Sequence, residues 1–421
     1  MVTLSAITSR LQADLLRPLG APRLANPAQI YKRPEPPPPP ARSDPPPQPR
    51  SVPAPQIDVV AVASADQAAA AARSEVLARA DRLVNGTGTA LTPALEELRT
   101  AWQALAEAPR EPARQADALA ASQNIVKTLN QAAQGAAALQ ADVEGEIAAK
   151  VETLNDLLLR FNDANRQVRQ GAVSAGSAND PREALLKQIT AMLTVKVVAR
   201  ADGDISLFTP NGGRLVDGGA NRVSLRNGRI ILKDGYDTDV TPASGELGAL
   251  HKLAVMQLPT LRSDLDTMAR GLTGSGDPPS ASASFAAAAG RPLFTGNSAA
   301  DLSLAPVADS TDALAGAAAQ VAEALQAGGR TLRGDKTLLT NGSYTDLAAT
   351  ISTRWTGAAG LASEQAAAAG ETNRELAPRQ IGGTATFSGE LDHLAVLRTS
   401  NSDTLSALVA LDDLTALLGG P

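Results

Sequence analysis

The residues that could do chemistry in this chain are few. It has 421 residues with two histidines and no cysteine, which removes disulfides, thiolate nucleophiles and cysteine-ligated metals at once. His251 and His393 lie in separate helical stretches, and neither has a second histidine or a carboxylate at the spacing of a zinc site. Structural imidazoles are the expectation for both. Asp234, Asp237 and Asp239 form an acidic cluster, but the remaining positions of a calcium loop and its closing glutamate are missing, so a solvated turn is expected. Asn211-Gly212-Gly213 and the segment 271–276 are glycine-rich without the Gly-Lys-Ser/Thr of a phosphate loop. The acidic pairs Glu96-Glu97 and Asp412-Asp413 are adjacent on predicted helices, where neighbours diverge and face water. These patterns predict no catalytic residue, no cofactor and no metal, and hence a chain that is not an enzyme.

The elements around those residues favour a structural protein. Hydrophobic residues make up 43% of the chain and aromatic ones 2%, so Ala, Leu and Val must build the core, a composition suited to close-packed helices. The net charge of -6 comes from 38 basic and 44 acidic residues without a basic block, which argues against nucleic acid as a partner. At the N-terminus Leu4, Ile7, Leu11 and Leu15 recur at helical spacing, and Arg10, Asp14 and Arg17 interrupt any apolar run. That pattern predicts neither a signal peptide nor a membrane span.

The expected fold class is mainly α: a long, coiled-coil-like helical bundle with a small antiparallel β insertion and terminal helices. Residues 1–33 read as an N-terminal helical segment and 34–56 as a proline-rich linker, because the runs 36–40 and 45–47 fix φ and remove backbone donors. Residues 57–192 form the first part of the bundle. Thr92 is expected to cap a helix through Leu95, Leu98, Trp102 and Leu105, with Trp102 in the core. After Pro109 and Pro112 a single helix is predicted to run to about Gln170, with Gly135 and Gly145 weakening it locally. Its last part carries Ile147, Val151, Leu154, Leu158, Phe161, Asn165 and Val168 in alternating steps of four and three, the repeat of a coiled-coil seam. Asn165 is the polar member that can fix register.

Residues 193–241 alternate with period two and are punctuated by Asp202-Gly203, Asn227-Gly228 and Asp234-Gly235, which predicts short strands joined by tight turns. Residues 242–376 return to helical periodicity, with Ala-rich helices at about 311–327 and 344–376. Residues 377–421 hold a C-terminal amphipathic helix with Leu405, Leu408, Leu411 and Leu414 on one stripe.

Several patterns in sequence order resemble one family. Leu154-Asn155 and Phe161-Asn162 repeat a heptad apart on the long helix; Asn179-Asp180, Arg182 and Leu185-Leu186 follow, and a strand pair ends in Gly213-Arg214-Leu215-Val216-Asp217-Gly218. Gly245-Glu246-Leu247-Gly248-Ala249-Leu250, Leu258-Pro259, Leu265-Asp266-Thr267-Met268-Ala269 and Leu293-Phe294-Thr295-Gly296 complete the series. Over roughly residues 90–305 the chain resembles the hook-associated protein 1 family of the bacterial flagellum, the hook–filament junction proteins. The termini diverge from that pattern: the proline spacer follows Tyr31-Lys32-Arg33, and Arg398-Thr399-Ser400-Asn401 stands where the family has Gln-x-Ala-Tyr.

The resemblance implies a secreted, extracellular structural subunit, exported without a cleaved signal peptide, that joins hook to filament. Its implied partners are the hook protein, the second junction protein, further copies of itself in a ring layer, and an export chaperone, with no membrane partner. Leu4, Ile7, Leu11, Leu15, Leu405, Leu408, Leu411 and Leu414 would then be the assembly interface, in segments that order on burial. Two alternatives remain open: another axial flagellar protein, such as the second junction protein or a flagellin-like chain, or a secreted coiled-coil binding protein tethered by the proline tract.

Overall fold

A computed structural model describes residues 59–172, 181–200, 202–242, 244–274, 278–306 and 310–376. The fold is mainly α with small antiparallel sheets. Helix α1 (Val59–Asn85) leads through α2 (Leu91–Glu107) into α3 (Pro112–Arg169), a 58-residue rod about 87 Å long. Pro112 opens it where no intrahelical N–H is needed, and Arg166 and Arg169 in the last turn complement the negative end of its dipole. Helix α2 begins one residue before the expected cap. Leu91 is fully buried and pulls the first turn back, Ala90 takes the N-cap position without a side-chain bond, and Thr92 turns to the Ser352 hydroxyl at 3.4 Å. Trp102 is buried, donates to Ser122 Oγ at 3.0 Å and packs edge-to-face with Phe285 at a centroid distance of 6.1 Å.

Neither glycine in α3 interrupts the rod. Gly135 makes room for a neighbour, since a Cβ there would lie 2.3 Å from Leu83 Cδ2 of α1, whereas Gly145 faces open space.

After α4 (Arg182–Met192) the chain builds two three-stranded antiparallel sheets. The first holds β1 (Lys196–Ala199), β2 (Ile205–Phe208) and β3 (Arg214–Val216); the second holds β4 (Arg222–Arg226), β5 (Arg229–Lys233) and β6 (Thr238–Asp239). Arg226 pairs with Arg229 across a two-residue turn in which Asn227 and Gly228 both have positive φ, 51° and 72°, the type I′ geometry that Asn-Gly favours.

The sheets dock onto α3 through side-chain amides. Asn155 presents its carboxamide to the open edge of β4, donating to Val223 O at 2.9 Å and accepting from Val223 N at 2.8 Å. Asn165 does the same beyond the last β2–β3 pair, donating to Ile205 O at 2.7 Å and accepting from Ile205 N at 3.3 Å. Each amide supplies the donor and acceptor that a further strand would supply, so two buried edges are satisfied by a helix.

The chain returns as α5 (Gly245–Lys252), a π turn (Leu253–Gln257) and α6 (Leu258–Thr273). Pro259 explains the π turn. It has no N–H to give, and Leu258 N bonds Leu253 O instead of Ala254 O. The Ala254 carbonyl thereby loses its helical partner, and Gln140 Nε2 of α3 supplies one at 3.1 Å.

Helix α7 (Ala281–Ala289), capped by Ser280 and closed by Gly290 in the left-handed region at φ 74°, precedes a short ladder of β7 (Phe294–Thr295) and β8 (Ser303–Leu304). Then follow α8 (Thr311–Gln326), the hairpin β9 (Arg330–Arg333) and β10 (Leu338–Gly342), and α9 (Tyr344–Leu376). Helix α3 touches α1, α2, α4, α5, α6, α8 and strands β3, β4 and β8.

Replacing Asn155 by Leu leaves the N–H and C=O of Val223 buried and unpaired, and should lower unfolding stability by about 3 kcal/mol in a denaturant titration. Gly145→Ala should raise stability by up to about 1 kcal/mol, the helix-propensity difference. Gly135→Ala should recover less than that gain or lose stability, because of Leu83; equal gains at both positions would contradict this packing.

Candidate functional site

The residues singled out for chemistry end in local contacts. His251 on α5 is half-buried, and burial lowers its pKa while Asp239 and the Gly228 carbonyl oppose the shift. Asp234 accepts from Tyr236 N and Thr238 Oγ1, Asp237 pairs with Lys233 and Arg226, and Asp239 pairs with Arg229 and Thr241. These donors lower the pKa of all three carboxyls, led at Asp237 by Lys233 and at Asp239 by Thr241. Glu96 and Glu97 are exposed on α2. Among the described residues no group of three or more His, Cys, Asp or Glu is placed to hold a metal ion, and no helix is long and apolar enough to cross a membrane. His393 and Asp412-Asp413 lie outside the described residues, as do Leu4, Ile7, Leu11, Leu15, Leu405, Leu408, Leu411 and Leu414.

The stripe of Ile147, Val151, Leu154, Leu158, Phe161, Asn165 and Val168 is buried along α3. What covers this face includes strands as well as helices: β4 meets Asn155, Ile205 at the start of β2 meets Asn165, and Arg182 of α4 donates to Asn165 Oδ1 at 3.3 Å. The long-helix asparagine that fixes the position of its neighbour thus acts on backbone. Asn162, in the second Leu-Asn-type pair, is half-buried.

The surface that leads toward both termini is the antiparallel pair of α1 and α9. Asn85 donates to Ser352 O at 3.3 Å and to Thr356 Oγ1 at 3.1 Å, Thr356 donates to Asp81 Oδ1 at 2.8 Å, and Arg73 donates to Gln365 Oε1 at 3.0 Å. Asn373 donates to Gln67 and accepts from Ser64 at 3.3 Å. The packing between these bonds changes along the pair. At one end Val76, Leu77, Ala80 and Val84 are buried on α1, with Leu347, Ala348, Ile351 and Trp355 on α9; toward Gln67 and Gly370 the buried residues among those whose side chains are described are Ala63, Ala65, Ala70, Ala362 and Gly370. Small side chains let two helices approach closely but remove little apolar area from water.

One node that sequence reasoning passed over anchors α9 to the bundle. Asp264 of α6 is fully buried and accepts from Thr337 Oγ1 at 2.6 Å, Arg354 Nη1 at 2.9 Å and Trp355 Nε1 at 2.8 Å. Burial pushes its pKa up, and Arg354, Thr337 and Trp355 pull it back. The signal was its place three residues after Leu261 on the apolar face of α6, where a carboxylate must find donors.

The comparisons with known proteins bear on the same elements. Residues 77–277, from α1 through α3 and both three-stranded sheets to the end of α6, match the family model of the flagellar hook-associated protein FlgK helical domain. Among solved structures, the flagellar hook junction protein FlgK from Burkholderia pseudomallei aligns at 20% identity and a TM-score of 0.49, over 56% of this chain and 46% of that one. The chain therefore spans less than half the length of that protein in the alignment. No curated protein sequence matches. Across residues 77–277 the chain is similar to the helical domain of the flagellar hook-associated protein FlgK family.

Proposed function

We propose that this chain is a structural subunit of the bacterial flagellum at the hook–filament junction, working by assembly and not by turnover. The observation that carries the reading is the FlgK helical-domain match over residues 77–277. The α1–α9 pair supports it: the elements next to the two terminal segments are held antiparallel, with residues 64–67 beside Asn373. Segments 1–58 and 377–421 are thereby tethered at neighbouring points, and the stripes Leu4, Ile7, Leu11, Leu15 and Leu405, Leu408, Leu411, Leu414 would bury against each other and against further copies. Hook protein, the second junction protein and an export chaperone are the partners of this reading, and the extracellular flagellum is its location.

Deleting the gene in its host should leave cells without attached filaments while unpolymerised flagellin accumulates in the medium, and the full-length gene should restore both. Filaments of normal number on the deletion strain would rule the junction role out. Truncation before Gly389 should abolish incorporation into the flagellum. It should leave the melting temperature of the described helical unit within about 2 °C of the full chain, since a 1 kcal/mol change shifts a unit of this size by about 2–4 °C. Loss of the cooperative melt would place the tail in the core instead.

A further inference from the structure

Between the C-terminal end of α6, the start of α7 and strand β9 lies a cavity of about 140 Å³ lined by Arg270, Arg330 and Arg333 together with Thr267, Ser280 and Thr331. Among the described residues none of the three guanidinium groups has a carboxylate partner.

Arg330 is the telling member. It is only 3% exposed, yet every described group that holds it is neutral: Pro278 O at 2.8 Å, Pro279 O at 2.9 Å, Ala324 O, and the ring of Tyr344 at 4.2 Å. Its Nε has no hydrogen-bond partner. Arginine keeps its charge when buried, and a buried cation left with dipoles alone keeps a desolvation cost that only an anion removes.

The backbone around it offers no such anion. Ser280 caps α7 beside the cavity, which directs the positive end of that helix dipole toward the same space. At the α6 end, the carbonyls that could offset the arginines are already engaged: Gly271 O accepts from the Tyr344 hydroxyl at 2.6 Å, and Arg270 O accepts from Gly274 N at 2.7 Å. Thr267 gives its hydroxyl proton to Ser263 O, so the hydroxyl protons of Ser280 and Thr331 are the ones left to donate.

We propose that this cavity is a binding site for one small oxyanionic group, a phosphate or a carboxylate, with Arg333 and Arg270 as rim ligands and Arg330 as the fixed positive floor. Its volume suits a single such group with a water or two, given about 30 Å³ per water. The site is independent of the assembly reading.

Isothermal titration of the full chain with inorganic phosphate, and in a parallel arm with acetate, at constant ionic strength against chloride, tests it. One saturable site is expected, with affinity about tenfold lower in Arg333→Gln and lower again when Arg270→Gln is added, each lost charge-assisted hydrogen bond being worth about that factor. Binding in both arms identifies a site for carboxylates as well as phosphates, and binding in the phosphate arm alone a phosphate site. Absence of saturable binding by either anion overturns the proposal. So does unchanged affinity in Arg333→Gln, whose exposed side chain leaves the core packing intact.

Discussion

A single helix of 58 residues cannot hold itself straight in water on its own hydrogen bonds and a narrow apolar stripe. Much of the structure exists to cover that stripe. Helix α2 covers its beginning, α1 and α5 border its middle, and the sheets with α4 cover its end. Between Leu139 and Val151 only Val143 and Ile147 are buried, so coverage there is one residue wide per turn. In such a stretch the aliphatic contacts are few and any polar group that sets register has disproportionate influence.

That influence falls to carboxamides. Asn155 and Asn165 join the rod to the two sheets by pairing with strand backbone, and Gln140 accepts the consequence of Pro259 by bonding the carbonyl that the π turn leaves free. An amide can give and take a hydrogen bond along one strand edge, which a carboxylate or hydroxyl cannot do as well. These contacts add little net energy, because each replaces bonds to water. Their effect lies in the cost of every alternative register, in which the same groups would be buried without partners. Asp264 has the same effect on α9, with Arg354 and Trp355 as its donors.

The distribution of buried apolar residues changes along the α1–α9 pair. Where the pair borders the bundle its buried residues include Val, Leu, Ile and Trp; farther along, the buried residues among those whose side chains are described are Ala and Gly, with amides bridging.

Local chemistry made much of the architecture legible in the amino-acid sequence. Pro112 and the uninterrupted periodicity marked α3 within a residue, and Asn227-Gly228 marked the β4–β5 hairpin because both positions need positive φ. The order of motifs over residues 90–305 likewise resembled the family whose helical domain matches 77–277. Such features depend on neighbours a few positions away, and the chain carries them in its spacing. The tertiary structure alone decided which surface covers each stripe: that Asn155 meets Val223, that Gly135 makes room for Leu83, that α1 pairs with α9, and that Arg330 stands buried without a carboxylate partner among the described residues. Those partners lie tens to hundreds of residues apart. Periodicity specifies that a face must be buried, and only the folded chain specifies against what.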